Sequence, residues 1–205
     1  MKRIMISLVV LASLVSSYAY AEVYSYIGPK YEDVNGQYTT DMRITGKLVT
    51  SSPIPPNVGG YDISGILTGW SFFDGVQTIN STNGTVHPSS PPWVNTDASG
   101  NITSGFFYIL RTPIATVVGG LLDLIYIVPS WNYSAVGALC ITVPDGICRG
   151  WDGNQTDSSA QVVQNGVWVT SDLPSTPIPT LSQWTLMLLA LMLGLVGIAR
   201  VRKHV

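Results

Sequence analysis

The sequence has little of what most active sites need. Its 205 residues include two histidines, two cysteines and two glutamates, and charged residues make up 11% of the chain. The Gly-x-Ser-x-Gly elbow of serine hydrolases, the zincin motif, the P-loop and the dinucleotide fingerprint are all missing. These absences argue against the common hydrolase, metalloprotease and nucleotide-dependent classes. We expect a protein without catalytic residues, metal or cofactor.

Three features stand against that expectation, and each has a simpler interpretation. His87 lies in the Pro- and Ser-rich segment 87–93, which is typical of a solvated loop. The segment 152–157 offers oxygen ligands but lacks the spacing and the closing Glu of a calcium loop. Paired carboxylates stay open as an alternative because the chain has ten aspartates, although most lie in turn contexts.

Positive charge is scarce in the middle of the chain. Between Glu22 and Pro179 there are five basic residues and twelve acidic ones, a net charge of −7. An acidic body repels phosphate groups, so we expect no nucleic-acid partner.

The N-terminus is typical of an export signal. Lys2 and Arg3 precede an uncharged apolar run over residues 4–15, and Ala19 and Ala21 form a small-residue cleavage pattern. The apolar run is about 18 Å long as a helix, too short to cross a bilayer. We therefore expect residues 1–21 to be removed by signal peptidase.

The C-terminus is typical of a membrane anchor. Residues 181–199 carry no formal charge and would form a helix of about 28 Å, long enough to span a bilayer. Arg200, Arg202 and Lys203 follow as a basic tail. The positive-inside rule then places the tail in the cytoplasm and the body outside the membrane.

The body, residues 22–170, shows no sustained helical period, whereas alternation with period two recurs. Met42, Ile44 and Leu48 would face one side of a strand, with polar residues between them. Similar runs occupy residues 61–67, 70–73, 76–79, 101–110 and 121–128. We expect one mostly β domain, an antiparallel β-sandwich. The segment 171–179 has three prolines and is interpreted as an extended stalk.

Two dipeptides predict hairpins within this body. Asn165-Gly166 suits a type I′ turn, so 162–169 is interpreted as a β-hairpin, and Asp74-Gly75 is a second case. Asp123 is the one acid in an apolar run. We expect it to face outward from an edge strand, because a buried carboxylate needs a partner.

The two cysteines, Cys140 and Cys148, flank the turn-forming residues Pro144-Asp145-Gly146. Strands that fold back at this turn would bring the two thiols together, and an exported protein enters an oxidising compartment. The sequence therefore predicts a structural disulfide.

The C-terminal segment also resembles a known sorting signal. Ile178, Pro179, Thr180, Leu181 and then Trp184, followed by one membrane helix and a basic tail, resemble the IPTL-CTERM signal of Gram-negative bacteria, a relative of PEP-CTERM. The resemblance covers residues 178–205 and implies an exosortase as processing partner. A plain anchor is the alternative, because Thr180 and Gln183 also form a capping box that would start any helix.

These patterns indicate an exported surface or extracellular-matrix protein without catalytic activity. The alternative is a carbohydrate-binding module anchored to the inner membrane, with extracellular polysaccharide as partner. Its candidate residues are Trp93, Trp131 and Trp151, because exposed aromatic rings stack on sugars. Trp70 and Trp168 have apolar neighbours, and we expect both in the core.

Overall fold

The body consists of antiparallel strands. The computed structural model describes residues 21–112, 114, 116–144, 146–152 and 156–171. These residues form fourteen strands and no helix. The strands are β1 (Glu22–Lys30), β2 (Asp33–Asn35), β3 (Arg43–Thr50), β4 (Tyr61–Asp62), β5 (Leu67–Phe73), β6 (Thr78–Asn80), β7 (Gly84–Val86), β8 (Trp93–Thr96), β9 (Ile102–Arg111), β10 (Leu121–Val128), β11 (Trp131–Thr142), β12 (Gly150–Asp152), β13 (Ser158–Val162) and β14 (Val167–Ser171). The prediction of a mostly β, antiparallel body is confirmed.

The smaller sheet has five strands in the order β14-β1-β3-β5-β6, and each neighbouring pair is antiparallel. The predicted alternation is clear in β3, where Ile44 and Leu48 are buried and Lys47 is exposed. Period-two spacing puts alternate side chains on one face, so this face points into the core.

The larger sheet has the order β2-β13-β11-β10-β9-β8-β4, with β12 added along β11 and β7 along β9. Its longest strand, β11, lies between β10 and β13. A two-residue turn, Pro129-Ser130, joins β10 to β11, and Ser130 has a positive φ of 68°. The side chain of Asn165 accepts a hydrogen bond from the Ser130 N–H and so holds this turn.

The two sheets share one hydrophobic core. Tyr26 and Phe72 of the smaller sheet belong to the same buried cluster as Phe107, Ile125 and Val162 of the larger sheet. A second buried cluster lies on the other face of the larger sheet. Its buried members are Tyr108, Leu110, Leu122, Leu124, Tyr133, Ala135, Ala138, Cys140 and Cys148. The central strands of the larger sheet are therefore packed on both faces.

Of the two predicted hairpins, one forms. Asp74-Gly75 lies in the loop between β5 and β6, which pair from Phe73 to Thr78, so this prediction is confirmed. The prediction at Asn165-Gly166 is wrong, because β13 belongs to the larger sheet and β14 to the smaller. Gly166 is required by packing: a Cβ there would lie 2.3 Å from the Tyr26 hydroxyl. Asn165-Gly166 therefore lies in the connection that crosses from the larger sheet to the smaller one.

The expectation for Asp123 is also wrong. Its strand, β10, is flanked by β9 and β11 and is an interior strand of the sheet. The register of the β10–β11 ladder shifts between Leu122 and Leu124, so Asp123 lies at a bulge. There it accepts a 2.9 Å hydrogen bond from the Gly137 N–H and lies 3.3 Å from an Arg111 nitrogen. A bulge thus gives the carboxylate partners in mid-sheet.

Several predicted segments lie outside the described residues. These are the signal peptide 1–21 apart from Ala21, the stalk beyond Ser171, the sorting motif, the helix 181–199 and the basic tail. Within the described part of the chain, no helix has the length and apolar character needed to cross a membrane. The domain boundaries and the signal cleavage at Ala19 and Ala21 stay predictions.

One buried carboxylate lies in the core beside a buried tyrosine. Asp74 is fully buried and accepts hydrogen bonds from the N–H groups of Val76 (2.9 Å) and Gln77 (2.8 Å). The Tyr38 hydroxyl donates to its other oxygen at 2.6 Å. Burial raises the pKa of Asp74 above its ordinary value, although these hydrogen bonds partly oppose the rise.

This shift gives a pH prediction. A raised pKa means that the folded protein binds the Asp74 proton more tightly than the unfolded chain does, so stability falls as pH rises from about 3.8 through the raised pKa. The substitution Asp74→Asn removes this dependence. We expect the free energy of unfolding of the parent, minus that of Asp74→Asn, to decrease with rising pH in urea titrations.

Asp97 provides the control, because its exposed carboxyl has a pKa lowered by hydrogen bonds from Asn101 and nearby backbone N–H groups. Its contribution is present above the unfolded pKa and is lost as pH falls. The free energy of unfolding of the parent, minus that of Asp97→Asn, should therefore increase with rising pH. If the difference in unfolding free energy between the parent and Asp74→Asn is constant or rises with pH, the pKa of Asp74 is not raised.

Candidate functional site

A groove opens on the outer face of the larger sheet, and three aromatic side chains form part of its lining. Trp131 and Tyr133 are alternate residues of β11, and Trp151 comes from β12, which pairs with β11 at Cys140. The groove has a volume of about 390 Å³. Its lining residues are Asp33, Asn35, Trp131, Tyr133, Trp151, Ser159 and Gln161.

The polar side of the groove follows from the strand register. Tyr133 pairs with Gln161 of β13, and Gln161 pairs with Asp33 of β2. Residues that are directly opposite on neighbouring strands point to the same face. The next row brings Ser159 of β13 and Asn35 of β2 to that face in the same way. Residues far apart in sequence thus form one polar wall.

The aromatic rings contact one another closely. The rings of Tyr133 and Trp151 stack with centroids 4.4 Å apart, and Trp131 lies 5.7 Å from Tyr133 at a tilt of 45°. Tyr133 is buried, whereas Trp131 and Trp151 are partly exposed. The two indoles are therefore the aromatic surfaces that solvent can reach.

A chain of hydrogen bonds fixes the polar wall. The Trp131 indole N–H donates to Gln161 Oε1 at 3.3 Å, and Gln161 Nε2 donates to Asp33 Oδ2 at 2.8 Å. Burial raises the pKa of the Tyr133 hydroxyl to about 12. The polar Ser159 side chain partly opposes this rise, and the negative charge of Asp152 adds to it. The phenol is therefore neutral at physiological pH.

The structure brings two of the three predicted sugar-binding tryptophans together. Trp93 lies elsewhere on the same face and stacks on Phe106, with centroids 5.9 Å apart. Phe106 in turn contacts Tyr126, which contacts Trp131. Trp93 is thus connected to the groove through other rings but does not line it.

The two tryptophans expected in the core differ in burial. Trp168 is buried between Tyr26 and Phe107, with ring centroids 4.7 and 5.4 Å away, which confirms the prediction. Trp70 is only partly buried and packs against the edge of the same cluster.

The expectation of a solvated His87 is wrong. Its side chain is buried and stacks on Tyr108 with centroids 4.5 Å apart and an interplanar angle of 1°. The Ser89 N–H donates to Nδ1 at 3.3 Å, and Nε2 lies 3.2 Å from the carbonyl oxygen of Cys148. Since Nδ1 accepts, Nε2 carries the proton and donates to that carbonyl. His87 connects its loop to the disulfide loop.

The predicted disulfide is present between Cys140 and Cys148, whose Cα atoms are 5.8 Å apart. Both residues are fully buried in the outer cluster. The bond closes the loop that leads from β11 to β12, and β12 carries Trp151. It therefore constrains one wall of the groove.

No group of three or more histidine, cysteine or acidic side chains is placed to hold a metal ion within the described residues. The candidate calcium loop 152–157 lies partly outside the described residues, at positions 153–155.

Comparison with known proteins identifies one segment. Residues 176–203 match the model of the IPTL-CTERM motif. The match contains Ile178, Pro179, Thr180, Leu181 and Trp184, so the C-terminus carries the sorting motif that these residues predict, and it supports a C-terminal sorting signal. No curated protein and no solved structure matches the chain.

The disulfide gives a stability prediction. Replacing both cysteines, Cys140→Ser with Cys148→Ser, opens a loop of nine residues and increases the freedom of the unfolded chain. We expect a loss of about 2–3 kcal/mol in the free energy of unfolding. Urea titration of the two proteins measures it.

The matched measurement is thiol titration of the purified, non-reduced parent after denaturation. We expect no reactive thiol, because the sequence has no other cysteine. Reactive thiols in the denatured parent, or equal stability of the parent and the double variant, would contradict a structural disulfide.

Proposed function

We propose that this chain is an exported surface or extracellular-matrix protein without catalytic activity, sorted through its C-terminus by an exosortase. The observation that carries the proposal is the IPTL-CTERM match over residues 176–203. A motif at this position, followed by an uncharged segment and a basic tail, suits a protease or transpeptidase embedded in the inner membrane.

In this proposal the chain passes through the inner membrane and signal peptidase removes residues 1–21. The helix 181–199 then holds the body in the periplasm, with Arg200, Arg202 and Lys203 in the cytoplasm. Processing near the motif separates the body, an antiparallel β-sandwich, from the anchor. Its final location is the cell surface or the extracellular matrix.

The side chains of the body support a non-catalytic role. His87 is its single histidine, and its ring is packed flat against Tyr108. Asp74 is a fully buried carboxylate in the turn between β5 and β6. It accepts hydrogen bonds from two backbone N–H groups and from the Tyr38 hydroxyl. Both groups have a structural use in the fold.

Pro179 and Thr180 have distinct tasks in recognition. A protease that acts at the outer face of the membrane binds extended chain, and Pro179 keeps the helix from continuing outward because its ring fixes φ and it lacks an N–H. In this proposal the Thr180 hydroxyl would cap the helix expected over residues 181–199. The pair therefore marks a boundary between extended chain and helix.

The test is the double substitution Pro179→Ala with Thr180→Ser. Serine caps a helix about as well as threonine, so a plain anchor would be unaffected. If an exosortase reads the motif, the variant accumulates as a full-length membrane species, while the parent yields a product that lacks residues 184–205. Mass spectrometry of the mature C-terminus in a native host measures the difference.

The control is Pro177→Ala, the same chemical change two residues before the motif proline. It should be processed like the parent. A parent protein that keeps residues 200–205 in cells with an active exosortase of the matching type would reject sorting and leave a single-pass anchor.

A further inference from the structure

We propose that the groove lined by Trp131, Tyr133, Trp151, Asp33 and Gln161 binds an uncharged saccharide chain. The inference goes beyond the sorting proposal and does not depend on it. It rests on the aromatic surface, the polar wall and the charge of the groove.

The aromatic surface suits the apolar face of a sugar ring. A pyranose presents C–H groups on its faces and hydroxyl groups around its rim, and flat indole rings offer large apolar area with little conformational entropy to lose. Trp131 and Trp151 are partly exposed at the groove, with the buried Tyr133 packed against both. The buried ring therefore holds the two indoles in place.

The polar wall suits the hydroxyl rim. Asp33 offers carboxylate acceptors, Asn35 an amide that both donates and accepts, and Ser159 a hydroxyl. Gln161 is bonded to Trp131 at one end of its amide and to Asp33 at the other, which fixes its orientation before any ligand arrives. Groups that are already ordered lose less entropy on binding.

The charge of the groove selects against acidic polysaccharides. Among the described residues that line it there is no lysine or arginine, and Asp33 carries a negative charge. A uronate or a sulfated sugar would place a like charge beside this carboxylate without a cation to pair with. An uncharged sugar can instead donate its hydroxyl protons to Asp33.

The size of the groove points to a short stretch of the saccharide. Sites for small molecules occupy about 300–1,000 Å³, and this groove of about 390 Å³ lies at the lower end. It is partly open to solvent, and its lining residues come from β2, β11, β12 and β13. A saccharide bound there can therefore be part of a longer chain.

The experiment uses the full chain, purified in a detergent that has no sugar headgroup. Calorimetry and tryptophan fluorescence follow its titration with hexasaccharides of glucose and of N-acetylglucosamine, and with hexagalacturonate as the acidic match. We expect saturable binding of at least one uncharged hexasaccharide and none of hexagalacturonate over the same concentrations. Absence of binding by every uncharged hexasaccharide, or preference for hexagalacturonate, overturns the proposal.

Variants locate the site. Trp131→Ala and Trp151→Ala should each weaken binding at least about tenfold, because each removes one stacking face. Trp93→Ala, on the same face but outside the groove, should bind like the parent. Parent-like binding by both groove variants, or an equal loss in Trp93→Ala, overturns the proposal.

A substitution at an exposed residue distinguishes loss of binding from loss of folding. Asp33 is exposed, so Asp33→Ala leaves the core intact but removes a hydroxyl acceptor and the partner of Gln161. We expect it to weaken binding, with unchanged near-ultraviolet circular dichroism. The matched control is Asp41→Ala, an exposed carboxylate away from the groove, which should bind like the parent. Equal binding by both variants counts against the polar wall. C-terminal processing is measured separately, so either proposal can fail alone.

Discussion

The register of β11 is the constraint on which the rest of the body depends. This strand is packed on both faces, so a slip by one residue would exchange its two sets of side chains. Its inward residues Asn132 and Ser134 are polar and fully buried. They accept hydrogen bonds from the hydroxyls of Tyr26 and Tyr31 at 2.5 and 2.9 Å. A buried polar group without a partner costs about 1–3 kcal/mol, so these bonds favour one register strongly.

The same register builds the groove. When Asn132 and Ser134 face the core, Trp131 and Tyr133 must face outward, beside Gln161 of the neighbouring strand. A bulge at Gly137 then changes the alternation, so that Ala138 and Cys140 also face outward. Gly137 has a positive φ of 66°, and a Cβ on it would lie 2.3 Å from the Asp157 carboxylate. The bulge thus brings the disulfide, and with it Trp151, to the groove side of the sheet.

Sequence patterns predicted what depends on neighbours along the chain. The alternation in β3, the turn at Asp74-Gly75 and the pairing of the cysteines follow from residues within about ten positions of one another. The errors come from contacts between distant segments. Gly166 serves the packing of Tyr26 and not a hairpin, and His87 lies in a loop of polar composition but stacks on Tyr108.

The candidate site shows the same division. Trp131 and Trp151 could be named as exposed aromatics, because neither lies in an apolar run and each is followed by Asn or Asp. Tyr133 had a weak signal in its alternation with Trp131, but Gln161 and Asp33 had none, since only the strand order β2-β13-β11 brings them together. Local periodicity does not predict which strands pair when they lie more than twenty residues apart in the chain.

The most direct test of this account is a double-mutant cycle between Tyr26→Phe and Asn132→Ala, measured as free energy of unfolding in urea. Asn132 Nδ2 also donates a hydrogen bond to the carbonyl oxygen of Gln164, and the loss of this bond drops out of the coupling energy that the cycle measures. If the cross-sheet hydrogen bond holds the register of β11, the two substitutions couple by about 1 kcal/mol or more. Losses that add without coupling would show that this bond does not hold the two sheets in register.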